Sequence, residues 1–457
     1  MTDRILGIDL GTSSVKLVYS QNGNVIKEKE SYCEISPNGW WDALCKACKR
    51  LELSEVRAVG LSSQVGTYVT NGTHTVSWNE PIGKDELSEV LSAVTREEFI
   101  NEISMPHPKL ISYPLPRLLN IKRSVTGAID VCMPKDLICK KLTGNTGSDP
   151  FSWRGLANLK SGKYSVSLLK RFGLDGISLP PLASPDTLAG TVSKQASAET
   201  GIPVGTPVAI GCNDFFSALL GMGIGKNGDA FDITGTSEHL GLIEPVIGNS
   251  DDGLVSGGYF FGNAHYGVTA SSGASANLAL ELSGHSQIDI KRCLETDPPI
   301  FLPYLNGERA PIWDTDARGV YFGLNGSTTK EALAYSALEG VVFSIYHIYQ
   351  TMGAPSATCL TVSGGASRDN TVNLMKASLF GIPVRPSLEA DASALGAQML
   401  AACAIGDYPS VSEAMADCCS FGQTFFPDEA LRETLLKRYK RYASLYPMIK
   451  PAFSLLK

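Results

Sequence analysis

The chain has 457 residues, of which 43% are hydrophobic and 19% charged, and a formal net charge of −7. That length predicts two or more domains with sizeable cores and excludes a disordered chain. The negative balance speaks against non-specific nucleic-acid binding, and no apolar run approaches the ~20 residues of a membrane span.

In chain order, residues 4–9, 15–20 and 56–61 read as strands: short, apolar, and bounded by Gly, Ser or Asn. A helix is predicted over 40–51, and the alternation implies an α/β domain with a buried, mostly parallel sheet. Cys45-Lys46-Ala47-Cys48 lies in that helix without a second ligand pair nearby, so ordinary helix packing is the better reading. Eleven scattered cysteines and an opening without a leader pattern predict reduced thiols and a cytoplasmic protein. Residues 202–210 predict a strand, followed by a turn and a helix that opens near Asp214. After Gly225 the pattern restarts. GDAFDITGTSEHLGLI resembles ILGIDLGTSSVKLVYS: an apolar strand with an aspartate, a Gly-Thr-Ser turn, and a second strand. Two halves of related design are therefore expected, 1–225 and 226–457. The second half predicts a long buried helix over 329–350, a strand and glycine turn over 360–370, two further helices, and a charged amphipathic helix from about 427 that caps the fold.

The turns suggest phosphate chemistry. Gly11 lets backbone N–H groups approach an anion, Thr12 and Ser13 add hydroxyls, and Lys16 adds charge. Asp9, at the end of the first strand, suits Mg²⁺ held through water. A plain hairpin with a solvated lysine is an equal competitor for one copy alone. The second turn, Gly235-Thr236-Ser237, favours phosphate, because a triphosphate needs donors on more than one side. Ser363-Gly364-Gly365-Ala366 could let a flat ring lie against backbone, and a tight packing turn is an equal reading. Asp214 is either a helix cap or a general base, and composition does not choose between them. No GxxxxGK[ST], no GxGxxG in strand–helix context and no GxSxG is present, and the six histidines form no HxxxH or HExxH pair.

Taken together, GIDLGTSSVK, PKDLICKKLTG, GCNDFFSALLGMG, DITGTSE, FLPYLNGERAPIWDTDARGVYFGL, ALEGVVF and SGGAS resemble, in order, the motifs of the FGGY carbohydrate kinases, of the actin, hexokinase and Hsp70 superfamily. The resemblance implies two ribonuclease-H-like domains, each a mixed sheet flanked by helices, with a central cleft. It implies ATP and Mg²⁺ as cofactors, a sugar or polyol as substrate (a ketopentose such as xylulose, or a related polyol), and a homodimer. Carried over by position, Asp214 is the catalytic base and Asp9 the Mg²⁺ ligand through water. Thr12, Ser13, Lys16, Gly235 and Thr236 face phosphates, while Gly364, Gly365, Ala366 and Asn370 face adenosine. Arg309 and Asp314 would be structural ions at the hinge. Gln64, Val65, Gly66, Trp78 and Phe215 line the sugar side together with Asp214. There the chain departs from the xylulokinase-like pattern. Ser63-Gln64-Val65-Gly66 stands for Gln-Met-His-Gly, Trp78-Asn79-Glu80 for Trp-Asn-Asp, and Phe215 for a polar Asn. These changes remove hydrogen-bonding groups and imply a smaller or less polar polyol. A non-catalytic nucleotide or sugar sensor on the same scaffold is the alternative, and an Hsp70-like or actin-like ATPase a third reading.

Overall fold

The computed structural model describes residues 3–21, 24–248, 253–353 and 357–456. The chain forms two units. The first holds residues up to Gly225, with Gly257–Phe260 and Asp391–Cys419; the second holds Lys226–Ser256, Phe261–Ala390 and Ser420–Lys457. The division expected at 1–225 and 226–457 does not include those two excursions.

The first unit is built on a mixed sheet, as the family resemblance implies, and not on the mostly parallel one suggested by the strand–helix alternation. Its central strand, Ile5–Leu10, is ILGIDL and buried throughout, as a run covered on both faces must be. It pairs in parallel with Ala58–Ser63 and antiparallel with Ser14–Gln21, which continues to an exposed edge strand, Asn24–Ser31. Alternating Lys and Glu on that edge discourage further strand pairing. Side chains alternate across the central strand. Leu6, Ile8 and Leu10 share a core with Trp40 and Leu44 of the helix Pro37–Cys48. Ile5 meets Ala401 and Ala402 of the late helix Ala392–Ala404. That helix, ASALGAQMLAACA, rides close on the strands because small residues face it. A Cβ on Gly60 would lie 1.9 Å from the Ala397 carbonyl oxygen. Gln398 fixes the contact by donating to the carbonyls of Ile5 and Val18 at 2.7 and 2.9 Å. A second core in the same unit gathers Phe99, Leu118 and Trp153.

The second unit repeats the plan. Ala230–Thr234 pairs antiparallel with His239–Glu244 and in parallel with Leu360–Gly364, which pairs in parallel with Val384–Pro386. The long helix Lys330–Thr351 is buried on most faces, and a late helix, Glu429–Ile449, packs in the same core. Arg438 of the late helix is buried and bidentate to Glu339, with Nε–Oε1 at 2.6 Å and Nη2–Oε2 at 2.7 Å. The tail helix is therefore an integral part of the unit's core. Among the described residues no helix is long and apolar enough to cross a membrane.

Candidate active site

In the first unit the Gly-Thr-Ser turn closes the hairpin between the first two strands, with the Gly11 N–H donating to the Ser14 carbonyl at 3.0 Å. Ser13 is exposed. Thr12 Oγ1 accepts from Trp78 Nε1 at 3.1 Å, so a predicted phosphate residue and a predicted sugar residue meet. Lys16 stands directly across the ladder from Asp9 and pairs with Asp391 at 3.6 Å. Asp9 is buried at the strand end. Ser62 donates to Oδ1 at 3.1 Å and Ser393 to Oδ2 at 2.7 Å. Burial raises its pKa against the opposing pull of Ser393 and Lys16.

Asp214 opens the helix Asp214–Gly221, and the cap is its neighbour. Asn213 Oδ1 accepts the Phe216 N–H at 2.9 Å. The carboxyl of Asp214 is thereby left outside the capping role. It accepts from the Phe215 N–H at 2.8 Å and from the backbone N–H of Val65. Burial, and then the charge of Asp9, push it up to about 7. A carboxyl near neutrality in this setting suits proton transfer.

Of the predicted sugar-side residues, Val65 and Phe215 touch it through their N–H groups. Gln64 is buried, and neither atom of its amide has a partner. A buried amide without partners is rare in native proteins. Gly66 leaves no room for a side chain, since a Cβ would stand 2.9 Å from that of Ser112. Trp78 is partly exposed, and the buried Arg117 holds its loop through the carbonyls of Ser77, Trp78 and Glu80 at 3.1, 3.3 and 2.9 Å. Phe215 is half-buried. Arg154, which the sequence reading missed, lies 5.8 Å from its ring, 5.0 Å from Phe216 and 5.7 Å from Tyr113. Lys135 is buried between Asp136 at 2.8 Å and Asp149 at 2.9 Å. The PKDL motif that supplies it is thus a foundation for the segment carrying Asp214, since Lys135 Nζ also reaches the Ile210 carbonyl at 3.4 Å.

In the second unit, Gly235, Thr236, Gly365, Ala366 and Asn370 line one cavity of about 910 Å³. Apolar Leu280, Leu338 and Val341 face polar Asn277 and Asp369 in it, the mixture expected of a cofactor pocket. Gly364 lines a neighbouring hollow of about 380 Å³ instead. Its φ is +91°, and a Cβ there would lie 1.9 Å from the Thr234 carbonyl oxygen, so only glycine fits. The glycine turn is fastened to the strand before the Gly235-Thr236-Ser237 turn. Thr234 Oγ1 donates to the Ser363 carbonyl at 2.9 Å and accepts the Ala366 N–H at 3.0 Å. Asn370 begins a helix capped by Asp369. Ser272, Gly273 and Asn277 were not foreseen. Gly273 donates to the Thr236 carbonyl at 3.2 Å, and the small-residue run SSGASAN was the available signal. In GERAPIWD, Arg309 reaches Ser237 at 3.4 Å, while Asp314 accepts from Tyr446 at 2.6 Å and ties its own loop. Glu308 is the buried charged residue of that motif. It accepts the N–H groups of Ala270 and Arg309 at 2.5 and 2.8 Å, and burial pushes it up to about 7.

Comparison with known proteins agrees with this layout. Residues 4–221 match the model of the FGGY family of carbohydrate kinases, N-terminal domain, and residues 236–405 that of its C-terminal domain. The chain is similar to xylulose kinase of Staphylococcus epidermidis, 25% identical over 98% of this chain and 97% of that protein. It is also similar to glycerol kinase of Chloroflexus aurantiacus, 28% identical over 95% and 97%. The crystal structure of ligand-bound xylulose kinase from Lactobacillus acidophilus superposes with a TM-score of 0.85 at 22% identity, covering 99% of each chain, which establishes a common fold. With both domain models matched in order, this chain belongs to the FGGY family of carbohydrate kinases.

Proposed function

We propose that this protein transfers the γ-phosphoryl group of Mg·ATP to a hydroxyl of a sugar or polyol, with Asp214 as the general base. The observation that carries the reading is the state of Asp214: relieved of capping by Asn213, held by two backbone N–H groups, and poised near neutrality. It takes the proton of the attacking hydroxyl. A modest base suffices, because that hydroxyl becomes strongly acidic only late in a loose phosphoryl-transfer transition state. A sensor needs no such group.

The donor set suits magnesium. Asp9 offers hard carboxylate oxygens, and among the described residues no cluster of three or more His, Cys, Asp or Glu could cage an ion. That is the pattern for an ion held through water and substrate phosphates. When bound, Mg²⁺ neutralises charge on the transferring phosphates. Asp9 would hold it through water, while Thr12, Ser13, Lys16, Gly235 and Thr236 receive phosphates. Gly364, Gly365, Ala366 and Asn370 serve the adenosine end, in keeping with the cavity that most of them line. On the acceptor side, the unpartnered Gln64 amide would be satisfied by polyol hydroxyls, while Val65 and Phe215 offer none. The relatives are named for xylulose and for glycerol, which differ in size, and the apolar pair favours the smaller, less polar end of that range. On this reading residues 1–225 supply the acceptor side and 226–457 the nucleotide side.

The test is a panel of ketoses, polyols, aldoses and sugar acids with Mg·ATP, followed by ADP release. At least one acceptor is expected to stimulate release well above the water background. Release indifferent to every acceptor would refute the kinase reading.

A further inference from the structure

The buried charges of the second unit include a cluster to which the chemistry above gives no part. Lys376 sits on the helix Asn370–Phe380, almost wholly buried, with Nζ 2.5 Å from Asp232 Oδ2 and 2.7 Å from Glu238 Oε1. Both carboxylates are buried too. Asp232 lies on the strand that leads into Gly235-Thr236-Ser237, and Glu238 is the first residue after it. One ammonium therefore grips both ends of the second phosphate turn. It does so from the helix whose first residue, Asn370, lines the same cavity as Thr236. The cross-strand neighbours of Asp232 are Leu240 and Val362, so Lys376 and Glu238 are the charges that act on it.

Such an arrangement is costly. Two buried carboxylates share one cation, and burial together with Glu238 pushes Asp232 upward. Replacing buried ion clusters by apolar groups is often neutral or stabilising, so stability alone does not explain this one. Its location gives a reason. A negative group at a phosphate turn, with Glu238 itself lining the cavity, should repel a nucleotide, unless its use is to hold the turn's amides and hydroxyls in place.

We infer that Asp232, Lys376 and Glu238 are positioning residues for the nucleotide, a tie that fixes the Gly235–Ser237 turn against the helix carrying Asn370. The inference rests on the nucleotide reading of this cavity. The two explanations of Glu238 differ in sign. If its charge acted directly on the phosphates, removing it would tighten binding. If it works as an anchor, cutting it loosens the turn.

Glu238→Ala cuts the tie at the turn's exit and leaves a charge-balanced Lys376–Asp232 pair in the core. The backbone of Glu238 also remains held by Thr269, whose hydroxyl accepts its N–H at 3.1 Å. Glu238→Gln keeps an acceptor for Lys376. Calorimetric titration of the full chain with Mg·ADP, without acceptor, reads the effect. Glu238→Ala should weaken ADP by at least ~10-fold, and Glu238→Gln should stay within about threefold of the parent. In steady state the loss should fall on the KM for ATP, with the KM for the acceptor unchanged. Equal or tighter ADP binding by Glu238→Ala would overturn the inference. Failure of the parent protein itself to bind ADP would instead remove the nucleotide reading on which it stands.

Discussion

Replacing Asp214 by Asn separates two consequences of its placement. The carboxyl is pushed from 3.8 to about 7 by burial and by Asp9, so folding at neutral pH pays for holding it. A rise of that size is worth roughly 4 kcal/mol, an upper bound because one edge of the residue reaches solvent. The sign follows from proton binding. Between the ordinary carboxylate pKa and about 7, the folded state holds more protons than the unfolded one, so stability falls as pH rises through that window. Asn carries no such penalty, and helix capping stays with Asn213. Asp214→Asn should therefore be more stable than the parent by ~1–4 kcal/mol at about pH 8, and by less at about pH 5. Its kcat/KM should fall by at least ~10²-fold, the low end of general-base contributions. Thermal melts at the two pH values and coupled ADP release with an acceptor turned over by the parent give both numbers. A variant that melts lower than the parent at about pH 8, or that keeps more than about a tenth of its activity, would refute this reasoning.

Three further outcomes are expected. In the parent, kcat/KM should rise with pH through about 7 as Asp214 loses its proton; a profile flat between about pH 6 and 8 would assign the proton elsewhere. Gly364→Ala forces a side chain into a left-handed backbone against the Thr234 carbonyl. It should cost ~1–3 kcal/mol or more in a chemical melt and raise the KM for ATP, because Ala366 hangs from the same threonine. Arg438→Met leaves Glu339 buried without its bidentate partner and should destabilise by ~3–5 kcal/mol. A shift under ~1 kcal/mol would show that the pair contributes little.

Local pattern carried much of this. The all-buried run ILGIDL announced a central strand, and the repeated hydroxyl turn announced a second sheet of the same plan. The likeness of the two aspartates was misleading in one respect. Asp9 stands two residues before its glycine and Asp232 three, and alternation along a strand sends such positions to opposite faces. One therefore meets Ser62 and Ser393 near the turn, and the other meets a buried lysine. Cap and base could not be told apart at Asp214, because the choice hangs on which of two neighbouring side chains turns back to the Phe216 N–H. Arg154, Glu308 and Lys376 were not visible for a different reason. Each owes its character to partners dozens or hundreds of residues away, and no periodicity records such meetings.

The late helix Ala392–Ala404 bears on how the chain comes to be folded. It covers the face of the first sheet that carries Ile5 and Gly60, yet the ribosome makes it almost four hundred residues after the strand it covers. Until it emerges, that face is a bare apolar strip and the Asp9 carboxylate lacks Ser393. The first unit is thus unable to finish folding until residues 391–419 have been made, and the long interval calls for protection from aggregation. A fragment ending near residue 225 should accordingly be insoluble on its own, and supplying the 391–419 segment in trans should recover it.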